Sequence, residues 1–179
     1  MFKYFWVFLV VALIVLVAAA YFTGNIPFLN QQSNAPATPS PVIGGQLGSA
    51  SLGRAVGYGD WGYLVSSVEH LDKITNDSKV LVPGGSYAVV HLTVTNNGKE
   101  PRSLSAADFA LVDDQGRRYS VESDATSMDS AALGLPNLLS VAVQPGLSKN
   151  SVIVFDVPKD ARGLTLRLYQ GYLDVNLGQ

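Results

Sequence analysis

The sequence predicts an all-β protein, in which one two-sheet antiparallel β-sandwich follows a single N-terminal transmembrane or signal helix. Three observations support this prediction. An apolar run begins the chain, an uncharged linker follows it, and short strands of alternating polarity separated by turn signals fill the remainder. No long amphipathic helix alternates with these strands, which disfavours a parallel α/β sheet. The corresponding segments are 1–22 for the helix, 23–51 for the linker and 52–179 for the domain.

The N-terminal segment predicts a helix that crosses a membrane. The apolar run 4–22 is about long enough for the hydrocarbon core of a bilayer. Lys3 precedes the run and no positive charge follows before Arg54, so the positive-inside rule keeps the N-terminus in the cytoplasm. The domain would then be extracytoplasmic and held at the cell membrane by a single-pass anchor.

Two other interpretations of this segment stay open. Small residues at positions 18–20 fit cleavage by signal peptidase, and cleavage after Ala20 would release a secreted domain. The run is longer than the roughly 7–15 apolar residues usual in a signal peptide, which favours a retained anchor. A buried core helix of a soluble protein is the remaining interpretation, but nothing downstream offers partner helices to cover a segment that is apolar on all sides.

The composition of the linker, the overall charge and the lack of cysteine each exclude some functions of the protein. The linker 23–51 is rich in Pro, Gly, Ser, Ala, Asn and Gln and has no charged residue, which is typical of a flexible tether. The formal net charge of −2 gives no general attraction to nucleic acid, so no nucleic-acid partner is expected. The chain has no cysteine, which excludes disulfides, thiolate metal sites, a catalytic thiol and an acylated lipoprotein cysteine.

The clearest strand covers residues 86–96, with a shorter one before it at 62–70 and a turn signal after it at Asn97-Gly98. Alternation along this strand places Ala88, Val90, Leu92 and Val94 on one face, and Tyr87, Val89, His91, Thr93 and Thr95 on the other.

The remainder of the domain also reads as short strands. Residues 109–113 and 117–121 predict a second hairpin around Asp114-Gln-Gly. Residues 151–157 are apolar on both faces, which predicts a central strand, and 164–168 predict a final half-buried strand. Residues 128–139 fit either a short helix or a loop before a strand at 139–143.

Several stretches together resemble a known family. They are TVTNNGKEP at 93–101, SLSAADFALVDDQGRRYS at 103–120, QPGLSKNSVIVFDVPKDA at 144–161, and the closing Leu-x-Leu-x-Leu. In order and spacing they resemble a bacterial domain-of-unknown-function family with the immunoglobulin-like β-sandwich of the mycobacterial immunoprotective extracellular antigen, from about Leu52 to Tyr172. The resemblance implies an exported or membrane-tethered immunoglobulin-like antiparallel β-sandwich. It brings no enzymatic activity and no catalytic residues.

The sequence predicts no catalytic residue and no bound cofactor. A nucleophilic triad needs a base, and neither His70 nor His91 lies in a nucleophile motif. His91 reads as a histidine on a partly exposed sheet face, and a His70/His91 metal pair would lack a third ligand.

Asp113-Asp114-Gln-Gly could belong to a calcium loop, but it lacks the alternating ligands of an EF-hand, and a β-turn explains it. We therefore predict no metal site, and name Asp113, Asp114 and His91 as the residues that would come first as ligands.

Surface chemistry suggests two further clusters. Lys99, Arg102, Arg117 and Arg118 would form a modest basic cluster near one hairpin. Trp61, Tyr63, Tyr87 and Tyr119 would offer an aromatic surface for a sugar or peptide, although packing in a sandwich core more commonly claims such residues.

The function expected from these features is a non-catalytic interaction or binding module of the cell envelope. Its partners would be the membrane, through the N-terminal helix, and an unknown envelope protein or polymer. The alternative is an envelope protein that binds a small ligand or a metal ion such as calcium, and an enzyme comes third.

Overall fold

The structure is a computed structural model that describes residues 48–168 and 172–179. The predicted helix 1–22 and most of the predicted linker 23–51 lie outside the described residues. Within the described ranges, no helix has the length and apolar character needed to cross a membrane.

The described chain is mainly β structure with little helix. The strands are β1 (Gly48–Ser51), β2 (Ala55–Tyr58), β3 (Trp61–Leu71), β4 (Ile74–Thr75), β5 (Val80–Leu81), β6 (Ser86–Asn96), β7 (Phe109–Val112), β8 (Arg118–Tyr119), β9 (Ser148–Val157), β10 (Thr165–Leu168) and β11 (Leu173–Asn176). One α-helix, α1 (Ser123–Ala132), lies between β8 and β9, and a 3-10 turn at Ala106–Asp108 precedes β7.

Two sheets form the sandwich. The five-stranded sheet has the order β1-β11-β10-β7-β8 and the four-stranded sheet the order β2-β3-β6-β9, while β4 and β5 form a small separate hairpin. Neighbouring strands are antiparallel except β1 and β11, which run parallel. The sandwich therefore departs from the predicted antiparallel arrangement at one pair.

β1 belongs to the residues that the sequence assigns to the linker. The four small residues of β1 show no local strand pattern. Backbone pairing with β11, from Gly48 opposite Leu173 to Ser51 opposite Asn176, holds this strand in the sheet. Pairing between distant segments cannot be read from four local residues.

The main core lies between the two sheets, as the alternation along β6 predicts. Val90 and Val94 on one face of β6 pack there with Phe155 of β9 and Leu166 of β10. The opposite face of β6 carries Tyr87 and Val89, and belongs to a second apolar cluster. That cluster is completed by Ile74, Ala125, Met128, Val152 and Val154, so α1 and the β4–β5 hairpin cover the outer face of the four-stranded sheet.

The second cluster explains an error in the predicted position of β9. This strand is apolar on both faces, which predicted a central strand, but it lies at the edge of its sheet. Its outer face is covered by α1 instead of by a third layer of sheet. The backbone of Val154 is also covered, since its carbonyl accepts from Glu122 N–H at 2.8 Å and its N–H donates to Thr126 Oγ1 at 3.0 Å.

Two further predictions differ from the structure. The strand 164–168 was expected to be the last, but β11 follows it and pairs with both β10 and β1. The ambiguous segment 128–139 contains only the end of α1, which begins earlier, at Ser123. Instead of a strand at 139–143 there is a single bridge between Val143 and Arg102.

The sandwich has two ends, which we name by the chain entering at β1. The proximal end contains Gly48, the β2–β3 turn at 59–60 and the segment 97–100 after β6. The distal end contains the loop 72–85, the β7–β8 turn 113–117 and the turn 158–163 after β9. The distal group contains Asp113 and Asp114, two of the three residues named as possible metal ligands.

Candidate functional site

Asp113 opens the β7–β8 turn at the distal end, and its carboxylate has no exposed surface. Oδ1 accepts hydrogen bonds from the N–H groups of Gln115 (3.0 Å) and Arg117 (2.9 Å). Oδ2 accepts from Nε of Arg117 (2.6 Å) and from the hydroxyl of Tyr119 (2.7 Å). A carboxylate offers about four lone-pair positions, so these donors fill them. A cation at Asp113 would have to displace the donors of its own turn.

Contacts within this turn shift the pKa values of Asp113 and Tyr119. Burial alone would raise the pKa of Asp113, but the hydrogen bonds from Tyr119 and Arg117 outweigh it and lower the pKa to about 2. Burial and the hydrogen bond to Asp113 raise the pKa of Tyr119 to about 12. Arg117 also contacts Asp160 through Nη1 at 3.2 Å. The geometry is that of an ionised structural network.

Asp114 does not join this network through its side chain. Its carboxylate is exposed, while its backbone N–H donates to the carbonyl of Arg162 at 2.9 Å. The structure therefore separates the two aspartates that the sequence placed in one candidate calcium loop.

His91 lies on the outer face of β6, where Nε2 is 3.0 Å from Oε1 of Glu69 on β3. It is three rows from His70 in the sheet, since His91 is opposite Ser67 and His70 is opposite Ala88. Among the described residues, no three His, Cys, Asp or Glu side chains are arranged to hold a metal ion.

A buried carboxylate of α1 lies near this histidine. Asp129 is 8% exposed, and its Oδ2 is buried without a hydrogen-bond partner among the described residues. Burial raises the pKa of Asp129, as does the charge of Glu69, while His91 acts in the opposite direction. The burial of Asp129 could not be predicted from the sequence, because its position under α1 depends on how the helix packs.

The four aromatic residues named as a possible binding surface pack in the apolar clusters or against them. Trp61, Tyr63 and Tyr87 are buried, and Tyr119 is half-buried against Asp113.

The predicted basic cluster is also divided. Arg102 lies at the proximal end, 2.8 Å from Asp60 and over the ring of Trp61, whereas Arg117 lies at the distal end. An exposed aromatic contact that the sequence did not indicate is the stacked pair Tyr58 and Tyr172, with ring centroids 4.7 Å apart.

The distal end also contains a cleft of about 420 Å³. Gln179 lines it, together with five polar residues from the end of β3, the start of β6 and the turn after β9: His70, Asp72, Ser86, Lys159 and Arg162. Gly163 follows with φ +60°, a left-handed conformation that glycine adopts without strain, and so allows the turn to close. The five polar residues come from three separate parts of the sequence, and no local pattern links them.

Arg162 is held in this cleft by the backbone. Its Nη1 donates to the carbonyl oxygens of Lys159 (3.0 Å) and Ala161 (2.7 Å). Within the described part of the chain, Lys159 and His70 have no side-chain hydrogen bond or ion pair. The cleft is therefore the place where positively charged donors meet with little compensation.

The two packed sheets, their apolar core and the loops at each end define a small β-sandwich domain. The chain belongs to the family described as "Domain of unknown function (DUF4352)", which matches residues 50–176 and confirms the resemblance seen in the sequence. No match was found among curated proteins.

Solved structures of similar fold come from several bacteria. A conserved hypothetical protein from Bacillus anthracis is 22% identical, with 65% of this chain and 87% of that chain covered and a TM-score of 0.52. An uncharacterized β-sandwich protein from Clostridium difficile 630 is 13% identical, with coverages of 79% and 99% and a TM-score of 0.50. The secreted protein MPT63 from Mycobacterium tuberculosis is 15% identical, with coverages of 78% and 98% and a TM-score of 0.49. At such identities the first two similarities show the fold alone.

Proposed function

We propose that this chain is a membrane-tethered, extracytoplasmic binding module of the cell envelope, built on an immunoglobulin-like sandwich and acting without catalysis. The observation that carries the proposal is the position of β1. The tether joins the sandwich at the proximal end, through Gly48, and the distal cleft lies at the opposite end of the strands. The distal loops are thus presented away from the point of attachment.

The tether supports this role physically. A linker that behaves as its composition predicts would span roughly 30 Å on average, so a tethered domain would sample a small volume near the membrane. Confinement of this kind raises the local concentration of the domain at an envelope partner to the order of millimolar. Modest affinity at the distal loops is then sufficient for occupancy.

One set of residues in the cleft has the residue types of a nucleophilic triad. Ser86, His70 and Asp72 line the same cleft, but the Ser86 hydroxyl donates to the carbonyl of Leu71 at 3.4 Å. Because nucleophilic catalysis requires a base within hydrogen-bond reach of the serine, these three residues do not act as a triad in this geometry.

The test uses the natural absence of cysteine. Single-cysteine variants Phe2→Cys and Gln115→Cys of the full chain, both of which keep Lys3, are expressed in cells and treated with a membrane-impermeant maleimide. Gln115 is exposed in the distal turn, so we expect Gln115→Cys to react in intact cells and Phe2→Cys only after lysis. Protection of Gln115→Cys until lysis would refute the extracytoplasmic placement. The mass of the labelled protein distinguishes an anchored chain from one cleaved after Ala20.

A second experiment addresses binding. Crosslinking on intact cells with the full chain is compared with an unrelated domain on the same helix and linker. Enrichment of an envelope protein or polymer with the sandwich alone is the expected result. Equal recovery from both tethered domains would count against a binding module.

A further inference from the structure

We propose that the distal cleft binds a phosphate group through Arg162 and Lys159, with His70 as an additional donor. This inference deepens the proposed binding function and rests on it for its biological setting. The recognition itself depends only on the groups that line the cleft.

Arg162 supplies a preorganised donor. A guanidinium carries five N–H groups, and the two on Nη1 are directed to the carbonyls of Lys159 and Ala161. The Nε and Nη2 donors have no partner within the described residues. An arginine fixed by its own turn loses little conformational entropy when it binds an oxyanion with two parallel hydrogen bonds.

Carboxylates that could neutralise the cleft are engaged elsewhere. Asp160 contacts Arg117, and both oxygens of Asp156 accept from the N–H groups of Gly84 and Gly85. Asp72 is the one carboxylate side chain among the lining residues, against the two permanent cations Lys159 and Arg162. Elsewhere in the domain, Arg102, Arg117 and Arg167 each pair with an aspartate. Arg162, like Arg54 and Arg118, has no such pair in the described ranges.

The donor set favours phosphate over a planar carboxylate. A guanidinium, an ammonium and an imidazole line the same cleft, and a tetrahedral anion with several oxygens can accept from more of them together than a planar carboxylate can. The cleft of about 420 Å³ also admits groups attached to the phosphate. The phosphate could come from free inorganic phosphate, an envelope polymer of phosphodiesters or a lipid headgroup.

The experiment measures ³¹P line broadening of inorganic phosphate by the full chain in a phosphate-free detergent at fixed salt. We expect saturable binding, weakened about tenfold in Arg162→Gln and less in Lys159→Gln. Lys159→Gln removes charge without removing a side-chain hydrogen bond, so it tests binding even where Arg162→Gln disturbs the turn. Arg118→Gln, an exposed arginine at a different cleft, is the matched control and should bind as the unaltered chain does.

Competition identifies the source of the phosphate. Oligo(glycerol phosphate) and phosphatidylglycerol vesicles are each tested for displacement of inorganic phosphate, with the Arg162→Gln chain in parallel. Displacement by either one that depends on Arg162 supports the inference and names the source. No saturable binding, or equal binding by all four chains, would overturn it. The maleimide experiment measures the location of the domain independently of phosphate binding. If phosphate binding fails, the proposed extracytoplasmic placement is still tested by that experiment.

Discussion

The hydroxyl of Tyr119 donates a 2.7 Å hydrogen bond to Oδ2 of Asp113, across the hairpin that joins β7 to β8. The same oxygen accepts from Nε of Arg117. A buried carboxylate is thus held by its own turn and by the strand that leaves it. This contact ties the distal turn to the edge of the five-stranded sheet.

Removal of that hydroxyl should weaken the domain. Tyr119→Phe keeps the ring and deletes one donor to a buried charge, so we expect Tm of the full chain to fall by roughly 3–8 °C. Tyr172→Phe, at an exposed tyrosine, should leave Tm nearly unchanged. Thermal unfolding followed by circular dichroism makes the comparison, and equal Tm values for both variants would contradict the structural role of Tyr119.

Asp113 should also determine part of the acid sensitivity. Its folded pKa of about 2 lies below its ordinary value of 3.8, so its stabilisation is present above about pH 4 and is lost as pH falls toward 2. Asp113→Asn should therefore differ most from the unaltered chain near neutral pH, and the difference in Tm should shrink in acid. The exposed Asp114→Asn should show no such convergence. A constant difference from pH 6 to pH 2 would argue against an ionised Asp113.

Asp129 should affect stability with a pH dependence opposite to that of Asp113. Its pKa is raised in the fold, so its stabilising contribution is present at low pH and is lost as pH rises through the folded pKa. Asp129→Asn should increase Tm at pH 7 by roughly 2–5 °C, and the gain should diminish on acidification. Asp124→Asn in the first turn of the same helix should slightly lower Tm, because a carboxylate at that position interacts favourably with the helix dipole. A loss of stability in Asp129→Asn at pH 7 would be inconsistent with an unfavourable buried charge.

Two adjacent glycines before β6 should respond differently to alanine. A Cβ at Gly85 would lie 2.8 Å from the Cα of Pro158 and closer still to the carbonyl of Val157, both backbone atoms. A Cβ at Gly84 would meet only the side chain of Asp156, at 3.3 Å. We expect Gly85→Ala to lower Tm on the order of 10 °C and Gly84→Ala by much less. Similar Tm values for the two variants would show that the backbone at Gly85 can move away.

The strands with strong local patterns could be predicted. β6 has the predicted limits, and its two faces enter the two apolar clusters as its alternation requires. The aspartate turn after β7 also follows from local chemistry, since Asp113 accepts the N–H groups of its own turn. Such features depend on neighbouring residues, and the sequence displays them directly.

The features that depend on distant contacts could not be predicted. β1 is short, and its identity as a strand depends on pairing with β11, more than a hundred residues away. β9 seemed central because its outer face is apolar, although a helix covers it. The distal cleft joins residues from three segments, so Lys159 and Arg162 have no local signal that distinguishes them from ordinary surface cations.

The parallel pairing of β1 with β11 determines how the sandwich carries mechanical load. The described chain begins at Gly48, at the proximal end, and the cleft lies at the other end. Tension applied between Gly48 and the cleft would pull along the strands, so the β1–β11 hydrogen bonds would be loaded together in shear. A pull in the perpendicular direction would open them one after another. With the domain tethered as proposed, the first strand would resist force along the line from its N-terminus to the cleft.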